Sequence, residues 1–342
     1  MNKRETKIIE ESLDKLKDLN VLVVGELIVD KYCYGKYLGK MRRKSIMEFM
    51  EYEDKYFLGG AGIVANHIVD FVNSVSLLSL IGDNNNYMEI IEEYLDERIN
   101  PLLLHKDDSD TPIKKRFIDK EEFITLFKSS NINDKPINKK LSKNISDFIN
   151  GVADKYDLII VMDYGLGMMS PEIINSLEEK SKFLAVNTQI NVENRGYNTI
   201  DKYNKMDYAC INEDELRLVC KEKYGDVKVL VNKLITLIDT NYISVTRGPY
   251  GSVVSSNGDY EEIEAYANDR RYVVDTMGSG DCYFAISALF ACIGCYSRIV
   301  GLTGNIAGAI HSNVEGNTPS VNLKTFKEKI GEITDDRFIF FR

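Results

Sequence analysis

The stretch Asp275-Thr276-Met277-Gly278-Ser279-Gly280-Asp281 constrains the fold of this chain more than any other. It follows the β-branched pair Val273 and Val274 and opens a run of small and apolar residues over 282–293. The order is therefore strand, glycine turn, helix. Glycines at 278 and 280 let backbone N–H groups converge on an anion at the helix N-terminus, where the macrodipole also favours negative charge. Asp281 falls in the first helical turn. A carboxylate beside a bound phosphoryl group is placed to take a proton from an attacking alcohol. Taken alone, the heptapeptide reads equally well as an acidic helix cap on a glycine turn.

Apolar runs at 21–24, 77–81, 157–162, 184–186, 208–211 and 242–245 read as core strands. Between them lie helical patterns, such as the one that Ser170-Pro171-Glu172 opens with a cap and a proline at the first position. An amphipathic helix is expected at 8–19 and a glycine-led one at 60–72. Strands alternating with helices imply an α/β fold with a mostly parallel sheet covered on both faces. Residues 31–58 and 111–128 lack helical periodicity and read as two β excursions from one domain spanning 1–342. Lys114 and Arg116 share one face if 111–118 is a strand. Arg42, Arg43 and Lys44 form a second basic cluster. Both sets read either as a clamp for an anionic substituent or as a solvated, aggregation-resistant edge.

Hydrophobic content of 44% supports a large core, and a net charge of −10 argues against broad binding to nucleic acid or an anionic membrane. The chain shows no apolar run of membrane-spanning length and no signal-peptide pattern, so a cytoplasmic location is expected. Cys292 and Cys295 make one CxxC inside an apolar helical run and read as buried thiols. The three histidines, His67, His105 and His311, sit at no metal-ligand spacing, and no zinc site is expected.

The heptapeptide resembles the C-terminal signature of the ribokinase/PfkB family of sugar kinases, and further family marks follow in order. Gly25-Glu26-Leu27-Ile28-Val29-Asp30 resembles the first strand with its sugar-binding Asp, and Gly59-Gly60 through Asn66 the di-glycine motif. Asn212-Glu213-Asp214-Glu215 resembles the NxxE motif, and Thr246-Arg247-Gly248 with Gly251 the nucleotide strand-turn. Within the family, the segments 29–35, 111–116 and 163–167 are most similar to the kinase half of bifunctional heptose-7-phosphate kinase/adenylyltransferase enzymes.

The resemblance implies a ribokinase-like three-layer α/β/α sandwich with a β-sheet lid made by the two excursions. It implies γ-phosphate transfer from ATP to a sugar or sugar-phosphate hydroxyl, with a heptose phosphate as leading substrate. Asp281 would be the base, and Gly278, Ser279 and Gly280 the anion hole. Asp30, Gly59, Gly60 and Asn66 would bind the sugar, with Arg42, Arg43, Lys114 and Arg116 over any phosphate it carries. Asn212, Thr246, Arg247, Gly248, Gly251 and Asn305 would bind ATP. Glu215 would reach Mg²⁺ through water, although Asn212 to Glu215 is also a good helix-capping sequence. Asp275 and Thr276 lie where some relatives bind a monovalent cation such as K⁺. The resemblance further implies a homodimer through the lid; a nucleotidyltransferase, if the pathway needs one, would be a separate protein or a part absent from this sequence. Asn187-Thr188-Gln189 replaces an Asp-Pro-Lys of the heptose-phosphate kinases, and Leu166 replaces a Lys. These departures leave open a kinase for an unphosphorylated sugar or nucleoside, and a non-catalytic sensor on the same fold.

Overall fold

The computed structural model describes residues 1–40, 46–122, 124–191, 194, 196–266 and 274–334. Arg42, Arg43 and Lys44, and the Val273 end of the expected strand before the signature turn, lie outside the described residues. Helix α1 (Lys3–Leu16) leads into β1 (Asn20–Gly25), β2 (Leu27–Lys40), β3 (Met47–Gly60) and α2 (Ala61–Ile68). Next come β4 (Ser74–Gly82), α3 (Met88–Tyr94), β5 (Ile99–Lys106), β6 (Ile113–Asp119), β7 (Ile124–Asn131) and α4 (Lys139–Val152). The middle of the chain forms β8 (Leu158–Asp163), α5 (Pro171–Lys180), β9 (Leu184–Thr188), β10 (Tyr208–Asn212), α6 (Glu213–Val219) and α7 (Val227–Ile235). The last part forms β11 (Tyr242–Thr246), β12 (Ser252–Ser256), β13 (Asp259–Ile263), α8 (Ser279–Cys292), α9 (Ser297–His311) and α10 (Leu323–Thr334).

A nine-stranded sheet runs β13-β12-β11-β10-β9-β8-β1-β4-β5, parallel from β11 through β5 and antiparallel at β12 and β13. Its strands are apolar along their whole length because both faces are covered. In β1, Val21 and Val23 pack into the core layer that contains the α2, α8 and α9 side chains. Leu22 and Val24, pointing the other way, join the layer of α4, α5 and α7. The open carboxyl ends of the parallel strands are where such sheets bind ligands.

The two excursions pair as a second sheet, ordered β3-β2-β6-β7. The strands reach slightly beyond the expected lid segments, because β2 and β3 are paired from Leu27↔Gly60 outwards. Asp30 faces Lys114 and Tyr32 faces Arg116 across the parallel β2–β6 ladder. Beneath this sheet Tyr32, Tyr34, Phe57 and Ile118 form a small core of their own. The glycine-led helix is shorter than expected and ends at Ile68.

Candidate active site

Asp281 sits half-buried in the first turn of α8, in a cavity of about 250 Å³ between the main sheet and the lid. The turn before it needs glycine at 278, whose φ is +75° and whose absent Cβ would lie 2.3 Å from Asn317 Oδ1. Two donors hold the Asp281 carboxylate: Gln189 Nε2 on Oδ1, and the Tyr164 hydroxyl on Oδ2 at 3.1 Å. Burial pushes its carboxyl up to about 6, against the opposing pull of these bonds and of the Lys114 charge. Among the described residues nothing accepts the N–H groups of Gly278, Gly280 and Asp281. They remain as orphan donors at a helix N-terminus. Ser279 differs from expectation: its N–H is turned to the Thr276 carbonyl at 3.3 Å, because the turn closes on itself there.

On the lid side, Asp30 and Arg116 form a buried ion pair at 2.6 Å. Arg116, expected over a substrate phosphate, lines the cavity with its guanidinium over Tyr32 and bonded to Asp30 and the Met277 sulfur. Lys114 lines the same cavity with its ammonium 5.3 Å from the Tyr164 ring centre. Gly59 is required because a Cβ would lie 2.5 Å from Asp30 Oδ2, and Gly60 lines the cavity at the start of α2. Asn66 points elsewhere: it bonds the Tyr94 carbonyl and the Asp96 N–H, tying α2 to the end of α3. Sequence reading missed Asn317, whose amide reaches Asp30 Oδ2 at 3.4 Å and the Leu58 carbonyl at 3.0 Å.

A second cavity, of about 550 Å³, opens on the other side of the signature turn and shares Thr246 and Gly280 with the first. Gly248, Gly251, Tyr283, Asn305 and Ala309 are among its lining residues. Asn305 donates to the Ile263 and Glu264 carbonyls and so fixes the end of β13 against α9. Arg247 is ion-paired with Glu213 at 2.9 Å and is held beside this cavity rather than in its lining. Asn212 and Glu215 do build a capping box on α6, and both also line the first cavity. Glu215 accepts N–H bonds from Asn212 and Ile190, and burial pushes its carboxyl up to about 7. Asp275 turns its carboxylate to the Tyr32 hydroxyl at 2.6 Å and to the Gly316 and Met277 N–H groups, while Thr276 is exposed.

Two of the histidines meet in space despite their sequence spacing. His67, Cys282 and His311 are buried together behind the turn. His67 Nδ1 accepts the Val321 N–H at 3.1 Å, which places its proton on Nε2, a buried atom with no hydrogen-bond partner among the described residues. His311 Nε2 faces the Met277 carbonyl at 2.8 Å, bracing the signature turn. Cys292 and Cys295 are half-buried, and burial raises both thiols, Cys292 to about 12.

The model of the pfkB family carbohydrate kinases matches residues 18–291. This chain belongs to that family. Its members are phosphotransferases with an alcohol group as acceptor. The chain is 24% identical over 326 residues to the bifunctional protein HldE of Syntrophotalea carbinolica, covering 94% of itself and 64% of that protein. The fold is shared with Arabidopsis thaliana ribokinase complexed with ribose and ATP, at TM-score 0.67 and 13% identity over 92% of this chain and 99% of that one. It is shared also with Escherichia coli phosphofructokinase-2 in complex with potassium, at TM-score 0.73 and 11% identity over 93% of this chain and 99% of that one. Among the described residues no helix is long and apolar enough to cross a membrane.

Proposed function

We propose that this chain transfers the γ-phosphate of ATP to a hydroxyl of a heptose phosphate or a similar glycan precursor. The observation that carries the reading is the junction at Gly280, where a polar cavity and a larger, more apolar one meet beside Asp281. A sugar in the first cavity and ATP in the second would meet there. Asp281 takes the hydroxyl proton, and the N–H groups at the start of α8 stabilise the transferring phosphoryl group. Asp30, with Arg116 and Asn317 behind it, orients the sugar hydroxyls. Glu215 and Asn212 fit a hard, hydrated cation: each Glu215 oxygen keeps a lone pair beyond its backbone bond. They would hold Mg²⁺, which supplies charge neutralisation at the phosphates when bound.

The heptose class rests on the resemblance of segments 29–35, 111–116 and 163–167. A specific observation favours a second reading, an unphosphorylated sugar: Arg116, expected over a substrate phosphate, is held by Asp30. ADP release from Mg-ATP across sugars and their phosphates, heptose 7-phosphates included, decides between them. Turnover confined to phosphorylated sugars supports the first reading. Turnover confined to free sugars supports the second, and binding without turnover overturns both. The lid strands expose Leu38, Met47, Met50, Tyr52, Ile124 and Phe127, apolar area that supports pairing with a second copy. A homodimer that dissociates in Met50→Lys, read by light scattering, would support that pairing.

A further inference from the structure

We propose that Gln189 is a positioning residue for Asp281: a neutral amide that aims the base and leaves its electrostatic balance to Lys114 of the lid. The inference rests on the kinase reading of Asp281. Gln189 stands just beyond β9, and its backbone is fixed at both ends. Its N–H donates to the Asp163 carbonyl at 2.8 Å, and its own carbonyl accepts Asn198 Nδ2 at 3.2 Å. The next residue, Ile190, donates its N–H to Glu215 at 3.0 Å. The side chain is thereby delivered to Asp281 Oδ1.

The second donor on Asp281 is held by the same loop. Asn191 and Asn194 both bond the Tyr164 carbonyl, at 2.8 and 2.6 Å, and Glu26 accepts the Tyr164 N–H at 3.0 Å. Gly165 permits this contact: its φ is +67°, and a Cβ there would lie 2.2 Å from Asn194 Nδ2. Asparagines 191, 194 and 198 thus clamp the 163–165 turn, and Gln189 and Tyr164 close on the base from the two ends of the clamp. All these donors are neutral.

Among the described residues, the titratable groups that interact with Asp281 include Tyr164 after β8, Lys114 on β6, Asp30 on β2, Glu215 on α6, Cys210 on β10 and neighbouring Cys282. Lys114 is the cation of this set, while Arg116, in the same cavity, has its charge paired with Asp30. A lysine at 189, as in the Asp-Pro-Lys segment this loop replaces, would add a second cation against the carboxylate and weaken it as a base. Glutamine keeps the orientation without that charge. The departure at 187–189 is then a different solution for holding the base, compatible with turnover.

The test uses this 342-residue chain with Gln189→Leu and Gln189→Lys. Asp281 is followed by carboxyl ¹³C NMR titration, assigned against Asp281→Asn, alongside kcat and KM over pH 5–9. The expected result is an Asp281 midpoint that moves up in Gln189→Leu and down in Gln189→Lys, each by about half a unit or more. Where a sugar is turned over, kcat of Gln189→Leu falls roughly tenfold to a hundredfold, with sugar and ATP KM nearly unchanged. Gln189→Asn, one methylene shorter, replaces leucine if that variant does not fold. Midpoints unmoved in both variants would overturn the proposal, whatever happens to turnover. If the wild-type chain turns over no sugar, the kinase reading fails separately, and the titration still decides whether Gln189 sets Asp281.

Discussion

The two cavities that meet at Gly280 are built on opposite plans. The lid-side cavity, of about 250 Å³, is lined by Asp30, Arg116, Lys114, Glu215 and Asp281, with Asp30 and Arg116 bonded to each other. The other, of about 550 Å³, is lined by Pro249, Ala265, Ala309 and glycines, with neutral polar groups such as Asn305, Tyr283 and Ser312 and no charged side chain among the described lining residues. The first offers directed donors and acceptors, which discriminate between acceptor hydroxyls by leaving a wrong one unpaired. The second offers shape and backbone, which hold a flat, partly apolar group with less dependence on any one side chain.

That contrast predicts unequal responses to substitution. The largest is at the buried pair: Arg116→Met leaves Asp30 uncompensated and should cost about 3–5 kcal/mol in urea unfolding. Adding Asp30→Asn should recover most of that loss, and failure to recover would mean the pair is not the source. Next is Gly280→Ala, whose Cβ meets no atom within 4 Å. It should fold with unchanged stability yet lose about 10²–10³-fold in kcat, because the methyl enters the space between the cavities. Gly278→Ala should instead lower the melting temperature, since φ is +75° and Asn317 blocks the Cβ. Equal behaviour of the two glycine variants would break the distinction between a steric and a phosphate-facing glycine.

Smaller effects are expected on the apolar side. Asn305→Ala removes two bonds to carbonyls and should raise the KM for ATP only severalfold, about 1 kcal/mol, leaving the sugar KM unchanged. The pH profile separates the sides as well. With the Asp281 carboxyl pushed up to about 6 by burial, it is protonated below that pH and, as the proposed base, would be inactive there. kcat/KM should therefore fall as pH drops through about 6 and level off above it, while ATP binding measured without sugar varies less.

Much of this was legible in the sequence. The parallel strands announce themselves because both faces are buried, so the runs at β1, β8 and β10 are apolar without alternation. The signature turn reads alone as no more than an acidic cap on a glycine turn, and became legible through the other family motifs that precede it in order. Arg116 was read as a phosphate clamp, and its bond to Asp30, 86 residues away, was not legible because it depends on β2 and β6 lying side by side. The bonds of Asn66 to the Tyr94 carbonyl and the Asp96 N–H were likewise not legible, since they depend on how α2 meets the end of α3. Asn317 and the His67–His311 contact depend on chain segments far apart in the sequence and left no local signal, whereas Tyr164 lies in the 163–167 segment, whose resemblance did not reveal its bond to Asp281. Gln189 did leave one, as the departure at 187–189, though its contact with Asp281 appears only when β9 is placed beside α8.

The central claim, that Asp281 is the base at the junction of the two cavities, is tested most directly by Asp281→Asn. The measurement is ADP release from Mg-ATP with the best sugar found, beside ATP affinity by calorimetry. The account predicts a fall in kcat of about 10²–10⁴-fold with ATP affinity within a few-fold of the parent. Turnover retained within tenfold would contradict it, because the asparagine fills the same space and lacks only the ability to take the proton.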